Sequence, residues 1–287
     1  MTDVAATKAT TLTASERAAD LDFAVALAER AGELLVERFE KVERIDYKSA
    51  KDVVTEVDHL SEALIISAIR AEHPGDGIIA EESGDHASGA GDAPTAGVGR
   101  AWVIDPLDGT INYANGIPFF CVSIALVEGG QPAVGVIHDP IRAETFAAAD
   151  DGPATLVSRG AAERRIAASD KPDLSDYVIS MSLAGAALIG RSRAVRRAVR
   201  VPRSMGSAAL ALAYVGNGRF DAMVQQGGLS SWDIAAAGLI AQRGGALVTN
   251  LDGGPWFNVI DPPRTIGLLA APERHHAELL RIVRSKG

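Results

Sequence analysis

Trp102-Val103-Ile104-Asp105-Pro106-Leu107-Asp108-Gly109-Thr110 reads as a buried strand that ends in two acids and a tight turn. The strand at 101–104 delivers Asp105 to its carboxyl end, and Pro106 fixes the backbone so that the chain turns sharply. Asp108 follows one turn later, so both carboxylates can face one point. Gly109 permits close backbone approach, and Thr110 is placed to open a short helix whose free N–H groups receive an anion. Two convergent carboxylates beside an anion nest suit a Mg²⁺–phosphate site, since Mg²⁺ takes hard oxygen ligands. On spacing alone, an acidic turn between strand and helix accounts for the segment equally well.

Upstream, apolar residues recur at helical spacing from Ser15 to Phe39, and a second helix is expected from about Glu56 to Ala71. Asp20-Leu21-Asp22 superficially resembles an aspartyl-phosphate motif, but it sits inside the first helix and reads as a solvated face. Ile78-Ile79-Ala80 is a short strand running into Glu81-Glu82-Ser83. Residues 84–99, rich in Gly, Ala and Asp, read as a mobile surface loop. Downstream, strands at 121–127, 133–137 and 144–149 are separated by Gly-Gly and Asp-Pro turns, which suggests an antiparallel meander. Strands near 177–182, 220–224 and 246–249 then alternate with helices from about Ser207 and at 232–243, a βαβα pattern. The expected fold is α+β/α/β, a layered αβαβα sandwich of two sheets with helices between and outside them. A single unit is expected, with approximate sub-lobes at 14–152 and 153–287.

The bulk numbers narrow the function classes. The 287 residues are 47% hydrophobic but only 5% aromatic, which favours tight helix–strand packing over a bulky aromatic core. A net charge of −9 argues against a general nucleic-acid binder, although divalent cations can invert local charge and admit phosphate. Cys121 is the single cysteine, so a disulfide framework is impossible and a reducing cytoplasm is expected. It lies in an apolar strand run and reads as core. No apolar run reaches the ~18 residues of a membrane span. The first dozen residues read as a frayed start to a cytoplasmic protein without membrane partners.

Four elements, in order, are similar to the inositol monophosphatase family of Mg²⁺-dependent, lithium-sensitive-type phosphomonoesterases. They are Val54–Asp58, Glu81–Ser83, Trp102–Thr110 followed by Asn112, and Ser231-Trp232-Asp233-Ile234-Ala235-Ala236-Ala237-Gly238. The resemblance spans residues 48–245. It implies that Glu81, Asp105 and the Leu107 carbonyl hold one Mg²⁺, and that Asp105, Asp108 and Asp233 hold a second. Glu81 with waters would hold a third, giving two to three ions in all. It implies that Thr110, oriented by Asp58, helps position and deprotonate the attacking water, with Glu82 acting behind them. Asp108, Gly109 and Thr110 would border the substrate, the Gly109 and Thr110 amides binding phosphate oxygens. Homodimers are common in this family.

Each element also has a bland reading. Thr55 and Asp58 form a capping box, Glu81-Glu82 is a charged strand end, and Asp233 sits at the positive end of a helix dipole. That last helix is apolar on nearly every face, however, and a buried unpaired Asp is costly, which makes a metal a plausible partner.

Two features depart from the inositol-preferring pattern. The family's acidic residue seven positions before the Trp-Asp aspartate corresponds here to Gln226, which reads equally as an ordinary strand-end residue. Gly206, Ser207 and Ala208 match the segment whose backbone lines the substrate hydroxyls. The stretch before it carries Arg191, Arg193, Arg196, Arg197 and Arg200, either a solvated helix face or a rim attracting an anionic substrate. A small phosphorylated substrate is expected, led by inositol 1-phosphate. Histidinol phosphate, fructose 1,6-bisphosphate and a nucleotide 3′-phosphate are alternatives. From a different class, a non-catalytic regulatory or interaction protein on the same fold is the competing reading.

Overall fold

A computed structural model describes residues 13–41, 45–49, 52–86, 99–183 and 188–285. The expected frayed start and most of the expected loop at 84–99 lie outside these residues. Helix α1 (Ala14–Arg38) starts from a capping box in which Thr13 and Glu16 exchange hydrogen bonds. Hairpin strands β1 (Ile45–Ser49) and β2 (Asp52–Thr55) lead into α2 (Glu56–Glu72).

An eight-stranded sheet follows. It is built from β3 (Gly77–Ala80), β4 (Gly84–His86), β5 (Arg100–Asp108), β6 (Cys121–Glu128), β7 (Gln131–Asp139), β8 (Glu144–Ala149), β9 (Thr155–Ser158) and β10 (Arg164–Arg165). Its order is β10-β9-β8-β7-β6-β5-β3-β4, with β3–β5 a parallel pair in an otherwise antiparallel sheet. The expected meander is β6 to β8. The sheet runs on to Arg165, beyond the expected sub-lobe division at 152/153.

The second sheet takes β11 (Val178–Ser182), β12 (Val201–Arg203), β13 (Ala222–Leu229), β14 (Ala246–Asn250) and β15 (Ile266–Pro272), in the order β12-β11-β13-β15-β14. β11 runs parallel to β12 and β13, and β15 runs antiparallel to β13 and β14. Strand β15 has no counterpart in the βαβα pattern read from sequence. Its run 266–271 is apolar on both faces because it is central in the sheet, so it shows no alternation to mark it.

Helices fill three layers. Helices α1 and α2 pack on the outer face of the first sheet, around Ile65, Ile104 and Ile124. Helices α5 (Ala208–Gly216) and α6 (Ser231–Arg243) lie between the sheets in one core with Val103, Ile137, Met223 and Leu268. Helices α4 (Ile189–Ala198) and α7 (Glu273–Arg284) cover the far face of the second sheet, around Ile179 and Leu269. This is the expected αβαβα sandwich. Gly135 of β7 lies close against α6, where a Cβ would stand 2.8 Å from the Ala236 Cα and carbonyl oxygen.

One expectation fails at the far end of β5. Asp20 is buried, not solvated: Arg100 donates to both its oxygens at 3.0 and 3.1 Å, while Asp22 is exposed. Arg100 also donates to Asp76, which accepts the Trp102 indole N–H at 2.9 Å. This network and the fully buried Trp102 ring anchor the strand that carries the acidic turn.

Candidate metal centre

Strand register brings the first two acids together. Ala80 of β3 pairs in parallel with Ile104 of β5, so Glu81 and Asp105 leave neighbouring strands side by side. The Glu81 amide donates to the Ile104 carbonyl at 3.3 Å. Beyond Asp105 the pairing of β5 with β6 becomes irregular, and the strand bends through Pro106 to Asp108. Asp105 Oδ1 accepts the Leu107 amide at 3.0 Å, and Ser61 of α2 donates to the Pro106 carbonyl at 3.0 Å. Gly109 then takes φ 101°, in the left-handed region that glycine tolerates, and caps the short helix α3 (Thr110–Ala114).

Asp233 arrives from the opposite sheet's side, on the first turn of α6, where its Oδ2 accepts the Ser230 amide at 2.6 Å. Asp105, Asp108 and Asp233 each bring a carboxylate oxygen within 4.8 Å of the others. Burial, then the charges of Glu81, Asp108 and Asp233, push the Asp105 carboxyl well above the usual range. Asp233 is pushed the same way by burial, Asp108 and Glu81. Burial also raises Asp108, opposed by the Ser207 hydroxyl and the 208–210 amides. Like charges held together out of water are costly unless a cation joins them. The donors are all hard oxygens, so the set fits Mg²⁺ or a similar ion better than a thiophilic one.

Asp58 stands on the neighbouring helix. Its Oδ2 accepts the Thr55 amide and hydroxyl at 2.8 and 2.6 Å, the capping box read from sequence. Its Oδ1 faces the Thr110 hydroxyl at 3.0 Å, so capping and site geometry coexist in one side chain. The Thr110 hydroxyl also lies 3.0 Å from the Leu107 carbonyl. Glu82 is half-buried, and its amide donates to Glu62 of α2 at 2.8 Å. Asp58, Ser61 and Glu62 thus form one face of α2 that braces the Thr110, Pro106 and Glu82 turns. Ser61 and Glu62 were missed in the sequence, although their i+3 and i+4 spacing from Asp58 marks that face.

A cavity of about 230 Å³ opens beside Asp108 and Asp233. Its walls include Gly206, Ser207 and Ala208 as expected, with Ser180, Ser182, Ser204 and Gln225 in addition. Gln226 is exposed and does not line it; the adjacent Gln225 does. Gly109, Thr110 and the Arg191–Arg200 arginines are likewise outside its walls. Asp108 Oδ2 ties this wall to the acidic turn by accepting from the Ser207 hydroxyl and, at 2.8 Å, the Ala209 amide. Asn112 adds a strap, donating to the Phe119 and Met205 carbonyls at 2.7 and 2.8 Å. Cys121 is fully buried behind Asp108, which agrees with its reading as core.

The model of the inositol monophosphatase family matches residues 16–287. The chain belongs to that family. Among its relatives, Nus factor SuhB of Pseudomonas aeruginosa is 37% identical, over 83% of this chain and 87% of that protein. Fructose-1,6-bisphosphatase/inositol-1-monophosphatase of Thermotoga maritima is 35% identical, over 81% and 85% respectively. The crystal structure of extragenic suppressor protein suhB from Bartonella henselae superposes with a TM-score of 0.82 at 31% identity, covering 93% of this chain and 99% of that one. These relatives include both named phosphatases and Nus factors, so the expectation of no nucleic-acid partner rests on net charge alone. Among the described residues, no helix is long and apolar enough to cross a membrane.

Proposed function

We propose that this family member is a Mg²⁺-dependent phosphomonoesterase acting on a small polyol or sugar phosphate, with inositol 1-phosphate as the leading substrate. The convergence of Asp105, Asp108 and Asp233, with Glu81 charge-coupled to them, is the observation that carries it. Glu81, Asp105, Asp108, Asp233 and the Leu107 carbonyl would hold the ions. When bound, two to three Mg²⁺ would stabilise phosphoryl charge and make water a better nucleophile. Asp58 is the proton acceptor: burial holds its carboxyl above the usual carboxylate value against the hydrogen bonds of Thr55 and Thr110, and Thr110 Oγ1 is its hydrogen-bonded relay. Thr110→Ala is therefore expected to lower kcat by roughly 10²-fold with little change in KM, read by steady-state phosphate release. An unchanged kcat would remove Thr110 from the relay.

The hydroxyl and amide groups of Ser180, Ser182, Ser204 and Gln225 favour a polyol beside Asp108 and Asp233. Gln225→Ala should shift relative kcat/KM among substrates about tenfold, whereas Gln226→Ala should leave the ranking intact. The reverse result would restore Gln226 as the specificity position. Histidinol phosphate, fructose 1,6-bisphosphate and a nucleotide 3′-phosphate are the competing substrates. A phosphate-release screen across these esters, with and without Mg²⁺, tests the proposal, and no Mg²⁺-dependent turnover of any would sink it. From family likeness the same proposal takes the protein to be a cytoplasmic homodimer.

A regulatory role has separate support in the relatives named Nus factor SuhB and in α4, whose Arg193, Arg196 and Arg197 are exposed. A role independent of catalysis would survive in Asp105→Asn.

A further inference from the structure

A second cavity, of about 560 Å³, opens between α1 and strands β7, β8 and β9. Glu29, Glu33 and Glu37 line it from α1 at four-residue spacing, so their carboxylates are stacked along one wall about 6 Å apart per step. Glu33 and Glu37 are exposed and form no ion pair with any described residue. Stacked acids alone would be a solvated helix face.

His138 makes the difference. It lines the same cavity yet is only 7% exposed. Its Nδ1 lies 2.9 Å from Thr145 Oγ1, and that hydroxyl donates to Glu29 Oε1 at 2.9 Å. A carboxylate only accepts, so the Thr145 proton points to Glu29 and the imidazole proton sits on Nδ1. Nε2 is then a bare acceptor, and among the described residues nothing donates to it. Burial pushes this imidazole down to about 4, so it stays neutral at physiological pH. Gly32 makes room for the ring: a Cβ there would stand 2.3 Å from Cδ2 and 2.7 Å from Nε2.

An unpartnered imidazole nitrogen on a largely buried ring, a hydrogen-bonded carboxylate and two further carboxylates call for a ligand rich in N–H donors and positive charge. Among the described residues the cluster of three or more metal-ligating side chains is Asp105, Asp108 and Asp233, so no three of His138 and these glutamates converge on one point as a chelating set would. Charge is instead spread along the wall, while Val36, Pro140 and Val157 provide apolar contact between the charged points. Arg159 lies opposite, but three carboxylates against one guanidinium leave the lining net negative. We propose that this cavity binds an aliphatic polyamine, one ammonium reaching His138 Nε2 and Glu29, the next ones Glu33 and Glu37, with methylenes against the apolar wall.

Spermidine titrated into the Mg²⁺-saturated protein tests this, since Mg²⁺ keeps it from the acidic centre. Calorimetry should give one saturable site, and the ¹⁵N signal of His138 Nε2 should move with occupancy. Glu33→Gln/Glu37→Gln, both at exposed positions, should weaken binding several-fold and leave phosphate release unchanged. An unmoved Nε2 signal, or equal affinity in the double variant, would overturn the proposal. So would Mg²⁺ alone moving that signal as spermidine does, which would mark a metal site instead.

Discussion

Asp105→Asn is expected to lower Mg²⁺-dependent phosphate release by roughly 10³-fold or more and, in the metal-free protein, to raise the melting temperature. The two effects have one cause. Asp105 is buried against Glu81, Asp108 and Asp233, and its carboxyl is held well above the ordinary value. An amide is nearly isosteric and keeps the oxygen that accepts the Leu107 amide, so the turn survives. What it loses is the charge that a divalent cation needs.

The sign of the pH dependence follows. The folded carboxyl binds its proton more tightly than the unfolded one, whose pKa is about 3.9. Its contribution to stability is fully present below about pH 4 and is lost as the pH rises through the folded value. The amide has no such loss, so the stability advantage of the variant in EDTA should open upward from about pH 4. Saturating Mg²⁺ should close the gap by stabilising the wild type alone. Thermal melts in EDTA and in Mg²⁺ across this range check both statements. A variant less stable than wild type in EDTA at neutral pH would show that Asp105 is compensated within the protein.

Gly135→Val is expected to cost about 3 kcal/mol, because the new side chain meets backbone and not a movable side chain. The Ala236 Cα and carbonyl oxygen both lie 2.8 Å from where its Cβ would stand. Relief requires α6 to move off the first sheet, and Asp233 lies three residues before the contact on that helix. Mg²⁺ affinity should therefore fall about tenfold together with stability, since ligand position is what the helix sets. Gly152→Ala, where a Cβ meets nothing within 4 Å, should change neither. Urea unfolding with Mg²⁺ calorimetry on both variants reads the pair. A destabilised Gly135→Val with unchanged Mg²⁺ affinity would free the site from this contact.

The acids of the centre were legible because each stands at the end of a recognisable element. Asp105 stands where an apolar strand loses its regular pairing, Glu81 directly follows another, and Asp58 and Asp233 sit in the first turns of helices. What brings them together, the parallel register of Ala80 with Ile104 and the Gly135–Ala236 approach, joins residues far apart in sequence and leaves no local pattern. Gln226 shows where counting and geometry part: it is exposed and outside the cavity wall, which the adjacent Gln225 lines. Between Gln225 and Leu229 the pairing of β13 with β15 is irregular, and Gly227 and Gly228 both take positive φ. Through such a break, a position counted back from Asp233 does not say which way a side chain faces. Asp20 failed differently: its partner, Arg100, lies 80 residues away, and a helix wheel cannot show it.

The most direct test is to strip the protein with EDTA and follow phosphate release from inositol 1-phosphate as Mg²⁺ is restored, with Asp233→Asn alongside. Release should be absent without metal and rise saturably with Mg²⁺ in the wild type, and the variant should stay near background throughout. Full activity in EDTA, or equal Mg²⁺-dependent activity in Asp233→Asn, would contradict the assignment of these acids as the metal centre.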